Sequence, residues 1–332
     1  MDGLLILTIL IVFMALAFDF INGFHDTANA IATAVSTKAL KPRHAIILAA
    51  VMNFVGAMTF TGVAKTITKD IVDPFTLENG SLVILAALIA AVFWNLLTWY
   101  YGIPSSSSHA IIGSIAGAAI AAAGFASLNY KGFLKIIEAL ILSPLIAFAV
   151  GYIVYSIFKV VFKNNNLTKT NRNFRIFQIF TAALQSYTHG TNDAQKAMGI
   201  ITMALIANNH VTSTDIPFWV QFSCALAMGL GTSVGGWKII KTVGGKIMKI
   251  RPINGVAADL TGAMIIFGST LIHLPVSTTH VISSSILGVG SAHRLKGVKW
   301  GTAQRMLITW VITLPISATI SGLIYLLLNA IF

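Results

Sequence analysis

The sequence predicts an all-α, polytopic membrane protein made of two inverted-topology repeats with broken helices. Apolar residues make up 56% of the 332 residues and charged residues only 10%, and the mean hydropathy is +0.82. A soluble domain would carry about 25% charged residues. Two unusual polar motifs also occur twice, once in each half of the chain, inside stretches that are apolar enough to span a bilayer. The repeated motifs indicate that the membrane fold is duplicated.

A transmembrane helix needs about 20 residues, so the chain has room for about 10–12 transmembrane segments. In the first half, hydropathy predicts spans at residues 3–35, 45–63, 82–101, 107–125 and 133–158. In the second half, it predicts spans at residues 176–207, 218–237, 256–272, 276–292 and 306–332. An odd number of passes in each half would invert the second half relative to the first. We therefore expect a first membrane repeat at residues 1–158, a basic cytoplasmic linker at 159–175, and a second, inverted repeat at 176–332.

The positive charge of the chain lies in its loops and does not form a nucleic-acid-binding surface. The net charge is +12, and lysine and arginine gather at residues 38–43, 159–175, 238–251 and 294–305. Such loops face the cytoplasm under the positive-inside rule. This orientation would place both termini outside a cell membrane, with lipid around the protein. Residues 4–17 lack the flanks of a signal peptide, so we expect a retained span there.

Two predicted spans are too long for one straight crossing. Residues 3–35 and 176–207 would each be about 45–50 Å long at a rise of about 1.5 Å per residue, whereas the hydrocarbon core is about 30 Å thick. Each carries a glycine and an acid, Gly23 with Asp26 and Gly190 with Asp193. Non-helical backbone at membrane depth occurs only where it lines protein or a watery cavity. We therefore predict broken or tilted helices, or helix pairs, with unwound backbone beside a binding site.

The second repeated motif is a proline followed by hydroxyl residues and a histidine, at residues 104–109 and, 171 positions later, at 275–280. Pro104 and Pro275 suit the first turn of a helix, and the hydroxyls would cap free N–H groups. In inverted repeats the two helix N-termini would converge, and such ends bind oxyanions. The alternative role is helix packing and bonding to the local backbone. The predicted anion-binding residues are Ser106, Ser107, Ser108, Ser277, Thr278 and Thr279, together with Thr27 and Asn192.

Ionisable groups are costly inside a bilayer and mark functional sites there. The candidates for cation or proton coupling are Asp26, Asp193, His25, Asn29 and Lys196, with support from His109, His280, His189, Gly23 and Gly190. As alternatives, the acids would cap interrupted helices, Lys196 would form a salt bridge, and the histidines would anchor the motifs. Asp259, Asp19 and Glu138, in that order, are further candidates for coupling. The single cysteine, Cys224, excludes a disulfide within the chain and a Cys-x-x-Cys metal site.

These motifs resemble those of the inorganic phosphate transporter (PiT) family of secondary carriers. Residues 22–30 resemble the bacterial form of the family signature, and residues 189–196 resemble its second copy. Residues 104–109 and 275–280 resemble the accompanying Ser/Thr-His segments. The resemblance covers nearly the whole chain in the expected order. It implies symport of inorganic phosphate with a cation, through alternating access by an elevator or rocking motion, and no enzymatic activity.

The chain departs from the pattern of sodium-coupled members, which tend to carry Gly-Ala-Asn-Asp-Val-Ala-Asn-Ala in both halves. The departures are His25 in the first copy and Gln195 and Lys196 in the second. A fixed ammonium could replace a bound Na⁺, and histidine titrates near physiological pH. Both departures favour H⁺ as the coupling ion, with Na⁺ as the alternative. The resemblance leaves open whether phosphate travels alone or as a neutral complex with a divalent metal, and a homodimer stays open too; no resident cofactor or metal is expected.

Two rival functions stand beside phosphate symport. A sulfate permease is one, because relatives with this architecture carry sulfate. Sulfate cannot donate a hydrogen bond to a carboxylate, so Asp26 and Asp193 favour phosphate. An intramembrane hydrolase using serine and histidine is the other rival. Ser108 and His109 are sequence neighbours, however, and a duplicated motif suits a symmetric binding site better than a single nucleophile.

Overall fold

The structure, a computed structural model, describes residues 3–73 and 79–331, nearly all of them α-helical. Two 3₁₀ turns, Phe125–Ser127 and Leu295–Gly297, and one isolated β-bridge complete its regular structure. The α-helices among these residues are α1 (Gly3–Ser36), α2 (Pro42–Ala57), α3 (Gly62–Asp70), α4 (Gly80–Tyr101), α5 (Ser107–Ala123), α6 (Tyr130–Val161), α7 (Leu167–Ala207), α8 (Phe218–Val234), α9 (Trp237–Gly245), α10 (Pro252–Leu271), α11 (Thr278–Arg294) and α12 (Trp300–Ile331). The predicted all-α fold class is confirmed.

The same order of elements occurs twice along the chain. A long helix is followed by a bent pair, a hairpin and a second long helix, first as α1, α2–α3, α4–α5 and α6, then as α7, α8–α9, α10–α11 and α12. Contacts between the halves are reciprocal, since α1 packs on α8 as α2 packs on α7, and α5 packs on α12 as α11 packs on α6. Two inverted copies around a pseudo-two-fold axis produce this pattern. The halves therefore interlock.

Within the described residues, four helices are long and apolar enough to cross a membrane on their own: α1, α4, α6 and α12. The bent pairs α2–α3 and α8–α9 raise the number to six when each pair is taken as one span. The sequence predicted about 10–12 transmembrane segments, whereas the length and composition of the described helices support four to six. The chain is an integral membrane protein. The side of the membrane that each terminus faces stays a prediction.

Broken helices are present in both halves, but not where the sequence predicted them. α1 and α7 are continuous over 34 and 41 residues, and the bends lie between α2 and α3 (68°) and between α8 and α9 (74°). A Cβ on Gly23 would lie 2.5 Å from the carbonyl oxygen of Met228, and one on Gly190 would lie 2.3 Å from that of Asn53. The prediction of unwound backbone at these glycines was wrong, because their missing side chains make room for a neighbouring helix.

The connection between the halves is short. α6 ends at Val161 and α7 begins at Leu167, so residues 162–166 separate them. The Asn166 side chain accepts hydrogen bonds from the N–H groups of Thr168 (3.0 Å) and Lys169 (3.2 Å). This N-cap starts α7 inside the segment 159–175, which the sequence predicted as a linker. The division of the chain into repeats at this point stays a prediction.

The two hairpins bring the hydroxyl motifs to their tips. We call residues 104–108 the first tip, between α4 and α5, and residues 275–279 the second tip, between α10 and α11. Ser106 and Ser277 are the N-caps, and their hydroxyls accept hydrogen bonds from the N–H groups of His109 (3.1 Å) and His280 (3.2 Å). The proline of each motif, expected in the first helical turn, therefore lies two residues before the cap.

Candidate functional site

Asp26 connects α1 with the hairpin tips of both halves. Its Oδ1 lies 2.7 Å from Nδ1 of the neighbouring His25. From the first tip, the Ser107 hydroxyl donates a hydrogen bond to Oδ2. From the second tip, the Thr279 hydroxyl donates to Oδ1 at 2.9 Å, and Asn29, one turn further along α1, donates to that hydroxyl at 2.8 Å. A single carboxylate therefore receives hydroxyl donors from both repeats.

Asp193 occupies the equivalent position on α7 and has different partners. Its Oδ1 accepts a hydrogen bond from the Lys196 ammonium. Its Oδ2 accepts one from the Thr278 hydroxyl of the second tip at 3.0 Å and lies 3.3 Å from Nε2 of His189. Asp193 and Lys196 are both fully buried, so each offsets the desolvation of the other's charge. The salt bridge expected as one role of Lys196 is present, and its part in coupling stays a prediction.

The two tips meet and are closed off from solvent. The Ser108 hydroxyl of the first tip donates to the backbone oxygen of Val276 in the second tip at 2.9 Å. Each helix N-terminus carries roughly half a positive charge and unpaired N–H groups, which favour a bound anion. At most 1% of the surface is exposed at each predicted anion-binding residue of the tips: Ser106, Ser107, Ser108, Ser277, Thr278 and Thr279. The structure therefore brings the predicted hydroxyls into one occluded cluster.

His25 and Asn192, at equivalent positions, hold the hairpins on the long helices. Nε2 of His25 lies 3.1 Å from the hydroxyl of Thr98 on α4. Asn192 donates to the hydroxyl of Thr270 on α10 at 3.1 Å and accepts from the N–H of Val276 at 3.2 Å. Asn192, predicted to bind substrate, therefore uses its amide to position the second tip.

His109 and His280 pack behind the tips. Their ring centroids are 4.5 Å apart, and His280 also stacks on Trp310 at 4.0 Å. Nδ1 of His109 lies 2.8 Å from the Ser106 hydroxyl, and the Trp310 indole donates to the backbone oxygen of Pro104 at 3.2 Å. Both imidazoles line a largely apolar cavity of about 770 Å³ between α6 and α12. These contacts fit the anchoring role that the sequence left open for the two histidines.

Thr27 lies outside the cluster. Its hydroxyl contacts the hydroxyl of Thr232 on α8 at 3.2 Å and accepts from Asn53 on α2 at 3.0 Å. The same Asn53 side chain lies 2.9 Å from Nδ1 of His189. Thr27 and His189 thus join the long helices to the bent pairs. The structure does not bring Thr27 together with the other predicted anion-binding residues at the tips.

Sequence reasoning missed three residues that support the site: Asn53, Thr98 and Thr270. The two threonines are 172 positions apart, close to the offset of 171 between the tips. Extending the comparison of the halves to the helix before each tip would have found them. Asn53 is a lone amide within an apolar run, and such a group at membrane depth is itself a signal.

The remaining acidic candidates lie away from the tips. Asp259 on α10 is buried and accepts hydrogen bonds from Thr33 on α1 (2.6 Å) and Thr181 on α7 (3.1 Å). Asp19, two turns before Asp26 on α1, is fully buried. Neither of its carboxyl oxygens has a hydrogen-bond partner among the described residues. Glu138 lies on the exposed face of α6.

Interlocked inverted repeats, whose hairpin tips present two helix N-termini to buried acids, form the architecture of a secondary transporter. The sequence model of the phosphate transporter family matches residues 22–172 and again residues 162–321. The chain therefore belongs to the phosphate transporter family. The resemblance to PiT carriers is confirmed, and the protein is a transporter and not an enzyme.

Individual relatives agree with this assignment. A Bacillus subtilis (strain 168) protein described as a probable low-affinity inorganic phosphate transporter is 83% identical over 100% of both chains. A protein of the same description from Rhizobium meliloti (strain 1021) is 44% identical over 98% of each chain. A solved structure titled "The sodium-dependent phosphate transporter" matches 98% of this chain and 100% of its own with a TM-score of 0.85 at 27% identity.

Proposed function

We propose that this protein imports inorganic phosphate by symport with protons, through alternating access to the closed site between the tips. The observation that carries the proposal is the buried Lys196–Asp193 pair beside two helix N-termini. The family and its named relatives support phosphate as the substrate. The choice of the proton rests on this chain's own side chains, because relatives of the same fold need not share a coupling ion.

The donors and acceptors at the tips suit a hydrogen phosphate ion. The hydroxyls and free N–H groups offer donors to a tetrahedral oxyanion. Asp26 and Asp193 offer acceptors, and HPO₄²⁻ can donate its P–OH to one of them. Sulfate lacks that proton and would bring its oxygens against the carboxylates. The acids therefore support phosphate over sulfate.

The surroundings of the two acids support proton coupling over sodium coupling. Sodium is a hard cation and needs several oxygen ligands that face it at once. Both oxygens of Asp26 already accept hydroxyl hydrogen bonds, from Ser107 and Thr279. Those of Asp193 are held by the Lys196 ammonium and the Thr278 hydroxyl. A sodium ion at Asp193 would have to displace a fixed positive charge, whereas a proton needs no ligand cage.

Alternating access requires the tip contacts to open on one side at a time. The Ser108–Val276 hydrogen bond and the two hydroxyl bonds to Asp26 close the site in this structure. We propose that one hairpin withdraws from α1 or α7 while the other stays in place. Ser107 holds the first tip on α1, whereas the second tip is held on α7 by Thr278 and on α1 by Thr279, so withdrawal of the second hairpin also breaks the bond between Thr279 and Asp26.

Uptake of labelled phosphate into proteoliposomes tests this function. The purified full chain should accumulate phosphate when the outside is more acidic, with the membrane potential clamped. An inward sodium gradient at equal pH should add nothing. Arsenate should compete and sulfate should not, and runs with and without Mg²⁺ would show whether a metal complex is carried. Sodium-driven uptake without a pH gradient would refute proton symport, and equal competition by sulfate would refute the substrate.

A further inference from the structure

Asp19 is a fully buried acid that the site described above does not use. It lies on α1, two turns before Asp26, and neither carboxyl oxygen has a hydrogen-bond partner among the described residues. An ionised carboxylate without partners in a membrane interior carries a large desolvation cost, which a proton removes. These surroundings favour the neutral, protonated form of Asp19.

The electrostatic neighbours of Asp19 belong to the site. α1 packs against α7 and α8, and the charges of Asp193 and Lys196 on α7 act on Asp19, as Asp19 acts on the Cys224 thiol of α8. An ammonium has three hydrogen-bond donors, and among the described residues the side chain of Lys196 bonds only to Asp193. Two carboxyl groups, Asp19 and Asp193, thus lie near one buried positive charge.

Several other ionisable residues on the helices around α1 have partners elsewhere, while Arg43, His44, Lys241 and Arg294 lie at or near helix ends. α4 contains no Asp, Glu, Lys, Arg or His over its whole length. Lys238 of α9 donates to the backbone oxygen of Tyr100. Asp259 of α10 is bound by two threonines, and His280 of α11 stacks on Trp310. Among the described residues, Lys196 is thus a buried positive charge that acts on Asp19.

Unpaired polar atoms also lie between Asp19 and the tips. Nδ2 of Asn22, one turn after Asp19, and both amide atoms of Asn95 on α4 are buried without partners in the described part of the chain. α1 contacts Thr98 through His25, one turn after Asn22, and Asn95 lies one turn before Thr98 on α4. The Oδ1 of Asn22 accepts from Ser107 of the first tip at 2.9 Å. Polar, unpaired surroundings of this kind suit water and proton movement.

We propose that Asp19 carries the co-transported proton, and that Lys196 is the cation shared between Asp19 and Asp193. While Asp19 is protonated, Lys196 pairs with Asp193. When the proton leaves an Asp19 oxygen for water, the ammonium, which keeps its three protons, pairs with the new carboxylate as well. The three groups then change from net neutral to one negative charge.

This change of charge links the proton to the substrate. A negative charge on the trio repels an anion at the tips, so loss of the proton promotes release of phosphate, and binding of phosphate favours the protonated form. The second half carries no counterpart of Asp19. The position on α7 equivalent to Asp19 is Ser186, whose hydroxyl bonds the backbone oxygen of Ala182 at 2.8 Å. The inference rests on the proposed proton symport.

The test compares Asp19→Asn with the wild-type full chain in proteoliposomes. Three quantities are measured: phosphate accumulation driven by a pH gradient, phosphate–phosphate exchange without a gradient, and proton entry on addition of phosphate, reported by a trapped pH dye. Asparagine resembles the protonated carboxyl, so exchange should continue within about twofold of wild type. A gradient of about one pH unit sustains about a tenfold accumulation per proton, and Asp19→Asn should lose that accumulation together with the proton entry.

Glu138→Gln is the matched control, because Glu138 is an acid exposed on α6, and all three quantities should stay unchanged. If Asp19→Asn still accumulated phosphate and took up protons, Asp19 would not be the carrier. Loss of exchange in both Asp19→Asn and Asp19→Glu would show a structural role and overturn the proposal as well. If wild-type protein itself took up no protons with phosphate, proton symport would fail, and the role of Asp19 with it. These results are distinguishable from one another.

Discussion

Asp26 and Asp193 occupy equivalent positions in the two repeats, yet their carboxylates are held in different ways. Asp26 accepts hydroxyl hydrogen bonds from both tips and contacts an imidazole. Asp193 accepts a hydroxyl from its own tip and is paired with a buried ammonium. Hydroxyl donors can leave a carboxylate and be replaced by a ligand or water. Removing the ammonium would leave an uncompensated charge, so the second acid is the more permanently fixed.

The comparison shows that two repeats with the same fold differ in the ionisable residues around their acids. Packing, hairpins and N-caps repeat in both halves, because each is set by small residues and hydroxyls that both copies retain. The copies differ in ionisable side chains: His25 aligns with Asn192, and Lys196 aligns with Asn29. Only the first-half acid bridges the two tips. Exchanging these residues between the halves therefore tests the asymmetry directly.

The largest effect should follow Lys196→Asn, which gives the second half the residue of the first. Removing one partner of a buried ion pair costs about 3–5 kcal/mol, so the variant should unfold at a clearly lower temperature. Thermal unfolding followed by size-exclusion fluorescence measures this. The double variant Asp193→Asn/Lys196→Asn should recover most of the loss, because no charge is left unpaired. A single variant as stable as wild type would show that Asp193 finds another proton or partner.

Asp26→Asn should have the next largest effect, on transport and not on folding. It replaces a charged acceptor of two hydroxyl bonds by a neutral one. Hydrogen bonds to a charged group contribute about 1.5–3 kcal/mol each, and a loss of about 3 kcal/mol corresponds to a roughly 100-fold slower initial rate. Initial uptake of labelled phosphate is the measurement, with the elution profile as a check on folding. Uptake at the wild-type rate would mean that the bridge between the tips is not needed.

Thr279→Val should have a moderate effect that Ser108→Ala does not match. Thr279 of the second half forms hydrogen bonds with both Asp26 and Asn29 on α1 of the first half. The hydroxyl of Ser108, by contrast, donates to a backbone oxygen. Losing hydrogen bonds of this kind costs about 1–3 kcal/mol, so the uptake rate should fall about tenfold in Thr279→Val. The rate in Ser108→Ala should fall less. Equal losses in the two variants would show that the tips work symmetrically.

The sequence was sufficient for the repeats and for the chemistry of the tips, because proline followed by hydroxyls specifies a capped helix start locally. It was insufficient where the role of a residue depends on a neighbour in space that is distant in the sequence. Gly23 and Gly190 suggested breaks, yet each admits another helix, which only the packing reveals. Thr27 shares a motif with Asp26 but lies on another face of α1. The bend after α8 coincides with Gly235 and Gly236, a breaker signal that the sequence analysis did not use.

His25→Asn should have the smallest effect on rate and the clearest effect on pH dependence. Asn192 shows that an asparagine at this position still reaches the threonine of the adjacent hairpin helix, so the variant should fold and keep the contact with Thr98. What it loses is the imidazole beside Asp26, a net hydrogen bond of about 0.5–1.5 kcal/mol. The rate of phosphate exchange should fall about two- to tenfold.

Histidine is the side chain that changes charge between about pH 5 and 8. Exchange in His25→Asn should therefore be measured over that range beside wild type. The reciprocal variant Asn192→His, which places an imidazole beside Asp193, is the matched comparison. A pH profile in His25→Asn as steep as in wild type would assign the dependence to other groups, such as Asp19 or the substrate itself. The asymmetry of the two acids would then lie in how they hold the tips and not in how they respond to protons.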